Sequence, residues 1–284
     1  MILEIVKFII YSGLIVIISK YILVKTLRKL AESLNLKAKT VGDIAGYATS
    51  VPEFLTITTS SLRGLSGASI YNILSSNIIN LVQYLGAILL NKNINRLRNK
   101  AIKVNLVLVL ITIIIPILLL KFDIELNLFI VPAFIILYLL FRFLNNNVHK
   151  LYLQKEDMEI EKKIEKESRW EKGNKRKTLK YCMILIVTGI LLFIIGELLG
   201  DTLEQLCNMF NVSEMVIGIL LGFITSLPEL ITFIESQRHH KNIDDDMLGV
   251  VEATNNLLTS NILNLFAIQT IGILIIYVIY IIYI

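Results

Sequence analysis

The 284-residue sequence predicts an all-α polytopic membrane protein made of two repeats with inverted topology. Three observations carry that prediction: long apolar blocks, an alternation of basic residues between the connections, and a polar motif that occurs twice inside apolar blocks. The chain is 55% hydrophobic and 18% charged, with a mean hydropathy of +0.70. A soluble domain of this length needs more charge to wet its surface. The formal net charge of +5 resides in the connections, where membrane proteins place Lys and Arg, so it is no signal for nucleic acid.

Apolar blocks fall at about 5–24, 41–61, 68–90, 104–120, 127–144, 181–199, 214–236 and 247–268. Their lengths match the roughly 17–25 residues that a hydrocarbon core asks of a helix. Eight spans follow. The stretch 269–284 is a short ninth span, an interfacial segment or an overlong end of the eighth helix. The first block reads as a span and not as a cleaved leader, because no small-residue cleavage site follows it and Lys20 and Lys25 end it.

Orientation comes from the basic residues. The connection after span one holds Lys25, Arg28, Lys29, Lys37 and Lys39, and that after span three holds Lys92, Arg96, Arg98, Lys100 and Lys103. The intervening connections carry Arg63 and Lys121, and the one after span six has acids but no base. This pattern places the N-terminus outside and the odd-numbered connections in the cytoplasm of a plasma-membrane protein. The domain reading is a first half at 1–145, a charged cytoplasmic linker at 146–180 and a second half at 181–284. In the linker, Ile160 and Ile164 lie four apart in a Glu/Lys run, which predicts a short solvated helix. Cys182 and Cys207 are too few and too far apart for a disulfide scaffold or metal cluster and read as packing residues.

The repeat is the decisive feature. The second block reads Gly42-x3-Gly46-Tyr-Ala-Thr49-Ser50-Val-Pro52-Glu53-Phe-Leu-Thr56, and the seventh reads Gly218-x3-Gly222-Phe-Ile-Thr225-Ser226-Leu-Pro228-Glu229-Leu-Ile-Thr232. The blocks that follow match as well, with Asn72-x3-Ser76-Asn77-x2-Asn80 against Asn256-x3-Ser260-Asn261-x2-Asn264. The two copies are offset by five spans, an odd number, so the second and seventh spans run in opposite senses, as in alternating-access transporters.

Each part of the motif has a physical use. A proline in a membrane helix frees the carbonyl four residues back, here those of Ala48 and Ile224, and broken backbone is tolerated at depth only where it is buried or lines a wet cavity. Freed carbonyls are hard oxygen ligands for Na⁺ or Ca²⁺. Thr49 with Glu53, and Thr225 with Glu229, are four apart and share a helix face. Asn72, Ser76 and Asn80 form one polar stripe; Glu252, Asn256, Ser260 and Asn264 form its counterpart. The glycine pairs are small-x3-small signals for close helix approach. Glu53 and Glu229 each cost about 2.5–3.5 kcal/mol at mid-membrane and have no Lys or Arg at matching depth, so a proton or a bound cation must compensate them. Glu252 reads either as a ligand or gate beside Asn256 or as a solvated residue near the cytoplasmic mouth. Asp43 reads as interfacial. His239-His240 with Asp244-Asp245-Asp246 reads as a hydrophilic turn. No nucleophile–base pair appears within the spans, so no enzyme and no cofactor are expected.

These residues resemble the sodium/calcium exchangers of the cation/calcium antiporter superfamily. The family pattern is Gly-Thr-Ser-x-Pro-Glu followed by Gly-Asn-x-x-Gly-Ser-Asn-Ile, once per half; here Ala48, Ile224, Ser75 and Thr259 replace its glycines. The resemblance implies exchange of Ca²⁺ against Na⁺ across the lipid bilayer. It places Thr49, Ser50, Glu53, Asn72, Thr225, Ser226, Glu229 and Asn256 along the ion sites; the polar stripes, and not the resemblance, put Ser76, Ser260 and Glu252 beside them. It leaves two other readings open: a cation/H⁺ antiporter of the same superfamily, and a divergent homologue that binds ions without transporting them.

Overall fold

The computed structural model describes residues 2–34, 38–64, 66–122, 124, 126–152, 175–210, 213–241 and 246–283, and every regular element among them is helical. The linker helix expected around Ile160 and Ile164, and the loop residues Asp244 and Asp245, lie outside the described residues. The first helix, α1 (Ile2–Ile18), passes through a widened π-type stretch (Ser19–Val24) into the amphipathic α2 (Lys25–Ser33). The block at 41–61 is two twelve-residue helices, α3 (Ala38–Thr49) and α4 (Val51–Leu62). Ser50 separates them with φ −80° and ψ 1°, two residues before Pro52. Gly64, at φ +72°, turns the chain towards α5 (Ser66–Leu90). The helices α6 (Lys100–Lys121), α7 (Val131–Tyr152) and α8 (Lys175–Phe210) follow.

The second copy of the motif repeats the break. The helices α9 (Glu214–Thr225) and α10 (Leu227–Lys241) meet at Ser226, with φ −79° and ψ −4°, again two residues before the proline. Then α11 (Asp246–Ile262) continues through a second π-type stretch (Leu263–Ile268) into α12 (Gln269–Tyr283).

Among the described residues, six helices are long and apolar enough to cross a membrane: Ile2–Leu30, Gly67–Leu90, Lys100–Lys121, Lys177–Leu203, Met215–His239 and Met247–Ile281; the apolar helix Val131–Asn147 is shorter. The eight spans expected from the sequence differ from this in two places. The block at 41–61 falls out because glycines, hydroxyls and charged residues dilute its hydropathy. The block at 127–144 becomes helical only at Val131, where Pro132 fits the first turn. The stretch 269–284 is the end of the preceding helix: Met247–Ile281 is a single run of 35 residues. That run is about 52 Å long, well beyond a hydrocarbon core of about 30 Å. Large apolar side chains such as Ile186, Val187, Ile190 and Ile194 face outward on α8, as lipid contact demands of a multi-pass membrane protein.

Two apolar cores flank a polar seam. One gathers Tyr84, Phe134, Phe233 and Phe266, with edge-to-face ring pairs 5.8 Å and 5.7 Å apart. The other gathers Ile15, Leu55, Leu192 and Leu221 from α1, α4, α8 and α9. Between them the repeats exchange partners: α3 packs on α11, and α9 packs on α5. The motif glycines make this possible. A Cβ at Gly46 would stand 2.8 Å from the Asn256 carbonyl oxygen, and one at Gly222 would stand 2.7 Å from that of Asn72. Neither obstacle is a side chain that can swing away.

Gly222→Ala is therefore expected to destabilise the protein by about 1–3 kcal/mol, read as a lower unfolding midpoint in detergent. Gly86→Ala and Gly189→Ala, where nothing lies within 4 Å of the new methyl, should keep or slightly raise the midpoint. An unchanged midpoint for Gly222→Ala would show that the seam yields.

Candidate functional site

The polar seam is where the helix breaks face the long helices α5 and α11. Glu53 sits in the first turn of α4 and Glu229 in the first turn of α10, and both are fully buried. Negative charge is favoured at these half-helix N-termini by the exposed N–H groups of the first turn. Glu229 Oε1 accepts a hydrogen bond of 3.1 Å from Ser260 Oγ, but its Oε2 and both oxygens of Glu53 find no donor among the described residues. The hydroxyls of Thr225 and Ser226 and the amide oxygens of Asn72, Asn80 and Asn264 are also buried without a partner. Such a concentration of unpaired buried oxygens is rare in a folded protein and points to a positive ligand.

The remaining bonds follow the repeat. Asn72 Nδ2 donates to Thr56 Oγ1 at 2.8 Å, and Asn256 Nδ2 donates to Thr232 Oγ1 at 2.5 Å. Those threonine hydroxyls in turn donate to the carbonyls of Glu53 and Glu229, at 3.0 and 2.8 Å. Asn77 Nδ2 donates to the Asn261 carbonyl at 3.3 Å, and Asn261 Nδ2 returns the bond to the Asn77 carbonyl at 3.2 Å. Asn80 Nδ2 reaches Asn261 Oδ1 at 3.2 Å and Ser260 Oγ at 3.5 Å; Asn264 Nδ2 reaches Asn77 Oδ1 and Ser76 Oγ, both at 3.5 Å. The α5–α11 crossing is thus a two-fold amide lattice. It departs from symmetry at Ser50, whose Oγ lies 2.9 Å from Ser260 Oγ, and at Thr49, which donates to Asn256 Oδ1 at 3.4 Å.

Of the residues singled out in the sequence, the structure brings Thr49, Ser50, Glu53, Asn72, Ser76, Thr225, Ser226, Glu229, Asn256 and Ser260 into this seam, all at most 1% exposed. Glu252 is set apart. Its Oε1 accepts a hydrogen bond of 2.7 Å from Arg28 Nη2, and the pair lines a cavity that extends to Ala45 and Thr232. Asp43 is 9% exposed and bonded on both oxygens: its Oδ1 accepts from Thr259 Oγ1 at 2.8 Å and lies 3.5 Å from Arg142, while Lys39 lies 3.8 Å from Oδ2. Neither Arg28 nor Arg142 is paired with Glu53 or Glu229.

The structure adds residues that the sequence reading left outside its site. Asn77, Asn80, Asn261 and Asn264 hold the centre, and their signal was the identical Ser-Asn-x-x-Asn run in both repeats. Arg28 had no such signal, because its partner is 224 positions away. Among the described residues no three His, Cys, Asp or Glu side chains cluster. The described side chains of the seam offer hydroxyl, amide and carboxylate oxygens, which are hard donors.

Comparison with known proteins agrees with this geometry. Residues 5–145 and 180–284 match the family described as sodium/calcium exchanger protein. A search of curated proteins finds no significant relative. Solved structures of the sodium-calcium exchanger NCX_Mj share the fold. One, soaked with 10 mM Na⁺ and zero Ca²⁺, is 22% identical over 97% of this chain and 84% of that one, with a TM-score of 0.55. Another, soaked with 100 mM Na⁺ and 10 mM Sr²⁺, is 21% identical over 97% and 83%, with a TM-score of 0.56. With the family signature covering most of its length and the buried-oxygen seam at its centre, the chain belongs to the sodium/calcium exchanger family of membrane transporters and is not an enzyme.

Proposed function

We propose that this protein is a secondary antiporter that exchanges Ca²⁺ for Na⁺ by alternating access, with the cations as substrates held between Glu53 and Glu229. The single observation behind this reading is the pair of buried carboxylates, three of whose four oxygens accept nothing from the described residues. Two ionised groups at such depth need a compensating charge, and a cation supplies it while satisfying the unpaired oxygens. Thr49, Ser50, Thr225, Ser226, Asn72, Ser76, Asn256 and Ser260 complete the oxygen set in this reading, together with Asn80 and Asn264. The carbonyl ends of α3 and α9, including those freed by Pro52 and Pro228, add partial negative charge from the opposite side of each break.

In this reading the repeats are inverted in a plasma membrane. The long helices, the two broken pairs and the α7 segment make eight spans, with 269–284 prolonging the eighth. The two halves are 1–145 and 181–284, the N-terminus is outside and the linker 146–180 is cytoplasmic, as the distribution of Lys and Arg supports. The cavity beside Arg28 and Glu252 then opens on the cytoplasmic side. Arg28 occupies the carboxylate that an arriving cation would meet first, so the ion pair works as a gate and Glu252 as its acidic half.

In proteoliposomes, an imposed Na⁺ gradient should drive ⁴⁵Ca²⁺ uptake that persists when the pH gradient is collapsed; uptake that vanishes with the pH gradient would instead identify a proton-coupled antiporter. Glu53→Gln and Glu229→Gln should each bring that uptake to background while the protein still elutes as a folded species. Arg28→Gln should change the apparent cytoplasmic affinity for Ca²⁺ several-fold, and the charge-swapped R28E/E252R pair should return it towards the parent value. If all three proteins behave alike, the ion pair is no gate.

A further inference from the structure

We infer that this protein pairs with a second copy of itself in the membrane through the outward face of α5, centred on Val82 and Gly86.

The internal repeat sets this face apart. Asn77 and Asn261 are 184 positions apart, and the same offset relates the apolar residues behind the two polar stripes. Ile78, Val82, Leu85 and Leu89 on α5 thus correspond to Ile262, Phe266, Gln269 and Ile273 on the helix that runs from α11 into α12. The second set is at most 5% exposed, whereas the first is 38–63% exposed. Protein covers the second set. Phe266 meets the rings of Phe134 and Phe141 from α7 at 5.7 and 5.3 Å, and Ile262 and Ile273 share that core with Val109 and Ile113 of α6. Among the described residues nothing covers the matching stripe on α5 in this way.

Lipid tails suffice for Ile78, Val82, Leu85 and Leu89, but not for two of their neighbours. Gln83 lies about 10 Å along α5 from its end at Leu90, within a hydrocarbon core of about 30 Å. Its Oε1 is buried and has no donor among the described residues. An unmet amide at that depth costs free energy that a second helix recovers. Gly86 leaves a notch, because a Cβ there would meet nothing within 4 Å. It lies one turn from Val82 on the exposed face, where a small residue admits a close helix. A notch alone does not single out α5, since Gly189 on α8 is as open. Around Gly189, however, the outward side chains of Ile186, Val187, Ile190 and Ile194 are apolar and offer no hydrogen bond.

The occupant that fits is another copy of this chain. Copies inserted in the same sense are related by a two-fold axis along the membrane normal, which sets α5 parallel to its mate and brings like residues together. An amide carries both donor and acceptor, so one Gln83 complements another. No charged residue lies between Ser66 and Leu90 to oppose the contact.

The full-length protein tests this in lipid. With Cys182→Ser and Cys207→Ser as background, Val82→Cys should form a disulfide-linked dimer on mild oxidation in proteoliposomes. Ile190→Cys, at a position 58% exposed on α8, should stay monomeric. Equal cross-linking at both positions, or none at Val82→Cys, would overturn the inference. Single-molecule photobleaching across protein-to-lipid ratios reads association without a cross-link. Gly86→Leu should lower the association constant at least about tenfold, and it fills a notch that the described chain itself leaves empty. Gln83→Leu should lower it about 3- to 30-fold and serves if Gly86→Leu does not fold. Folded variants that associate like the parent would place the contact elsewhere and refute the assignment to α5. A protein that is monomeric at every ratio has lipid on this face, and a Val82→Cys adduct with a different chain in native membranes gives the face to another partner; either result refutes self-association.

Discussion

Everything at the centre of this protein depends on how closely α3 and α9 approach the long helices. Gly42 and Gly46 bring the backbone of α3 against α11, and Gly218 and Gly222 bring α9 against α5. Without that approach the short side chains of Thr49, Ser50, Thr225 and Ser226 would not reach the helices that carry Asn72, Ser76, Asn256 and Ser260. In lipid the hydrophobic effect gives no preference for this packing, so shape and polar bonds must supply it. The glycines provide the shape, and the Asn77–Asn261 exchange and its neighbours provide the bonds.

A second constraint follows from the first. Close packing excludes water, which makes each unpaired oxygen in the seam expensive and each paired one specific. The structure resolves this by satisfying nitrogens almost completely and leaving oxygens open. The amide nitrogens of Asn72, Asn80, Asn256, Asn261 and Asn264 all have acceptors, while Asn72, Asn80 and Asn264 keep an open Oδ1. A seam arranged in this way attracts cations and repels anions. The polarity of the site is written in which end of each amide is tied down.

The all-helical membrane fold was legible in the sequence because hydropathy at this length has few other solutions, and the repeat was legible because its residues recur at fixed spacing. The limits of that reading are instructive. Hydropathy left 269–284 open between a short span, an interfacial segment and an overlong end of the eighth helix; nothing between Ile268 and Gln269 breaks a helix, and the chain runs on. The polar stripes showed Asn80 and Asn264, but a stripe does not say which member faces the opposite repeat; the crossing of α5 and α11 decides that. Counting residues from Glu53 gave Asp43 a depth but no partner: Arg142, from α7, comes within 3.5 Å of it and also lies over the Tyr47 ring at 5.4 Å. Pairings between distant helices are set by packing and leave no periodic trace.

The exchange of packing partners has a consequence for how the chain acquires its structure. A half ending near residue 145 would hold α3 and α5 without α11 and α9, leaving glycine-lined grooves and amide donors facing lipid. The sequence divides neatly into two halves, but the contacts do not, so neither half is a self-sufficient folding unit. Assembly must await the arrival of α9 and α11, late in synthesis, before the seam can close.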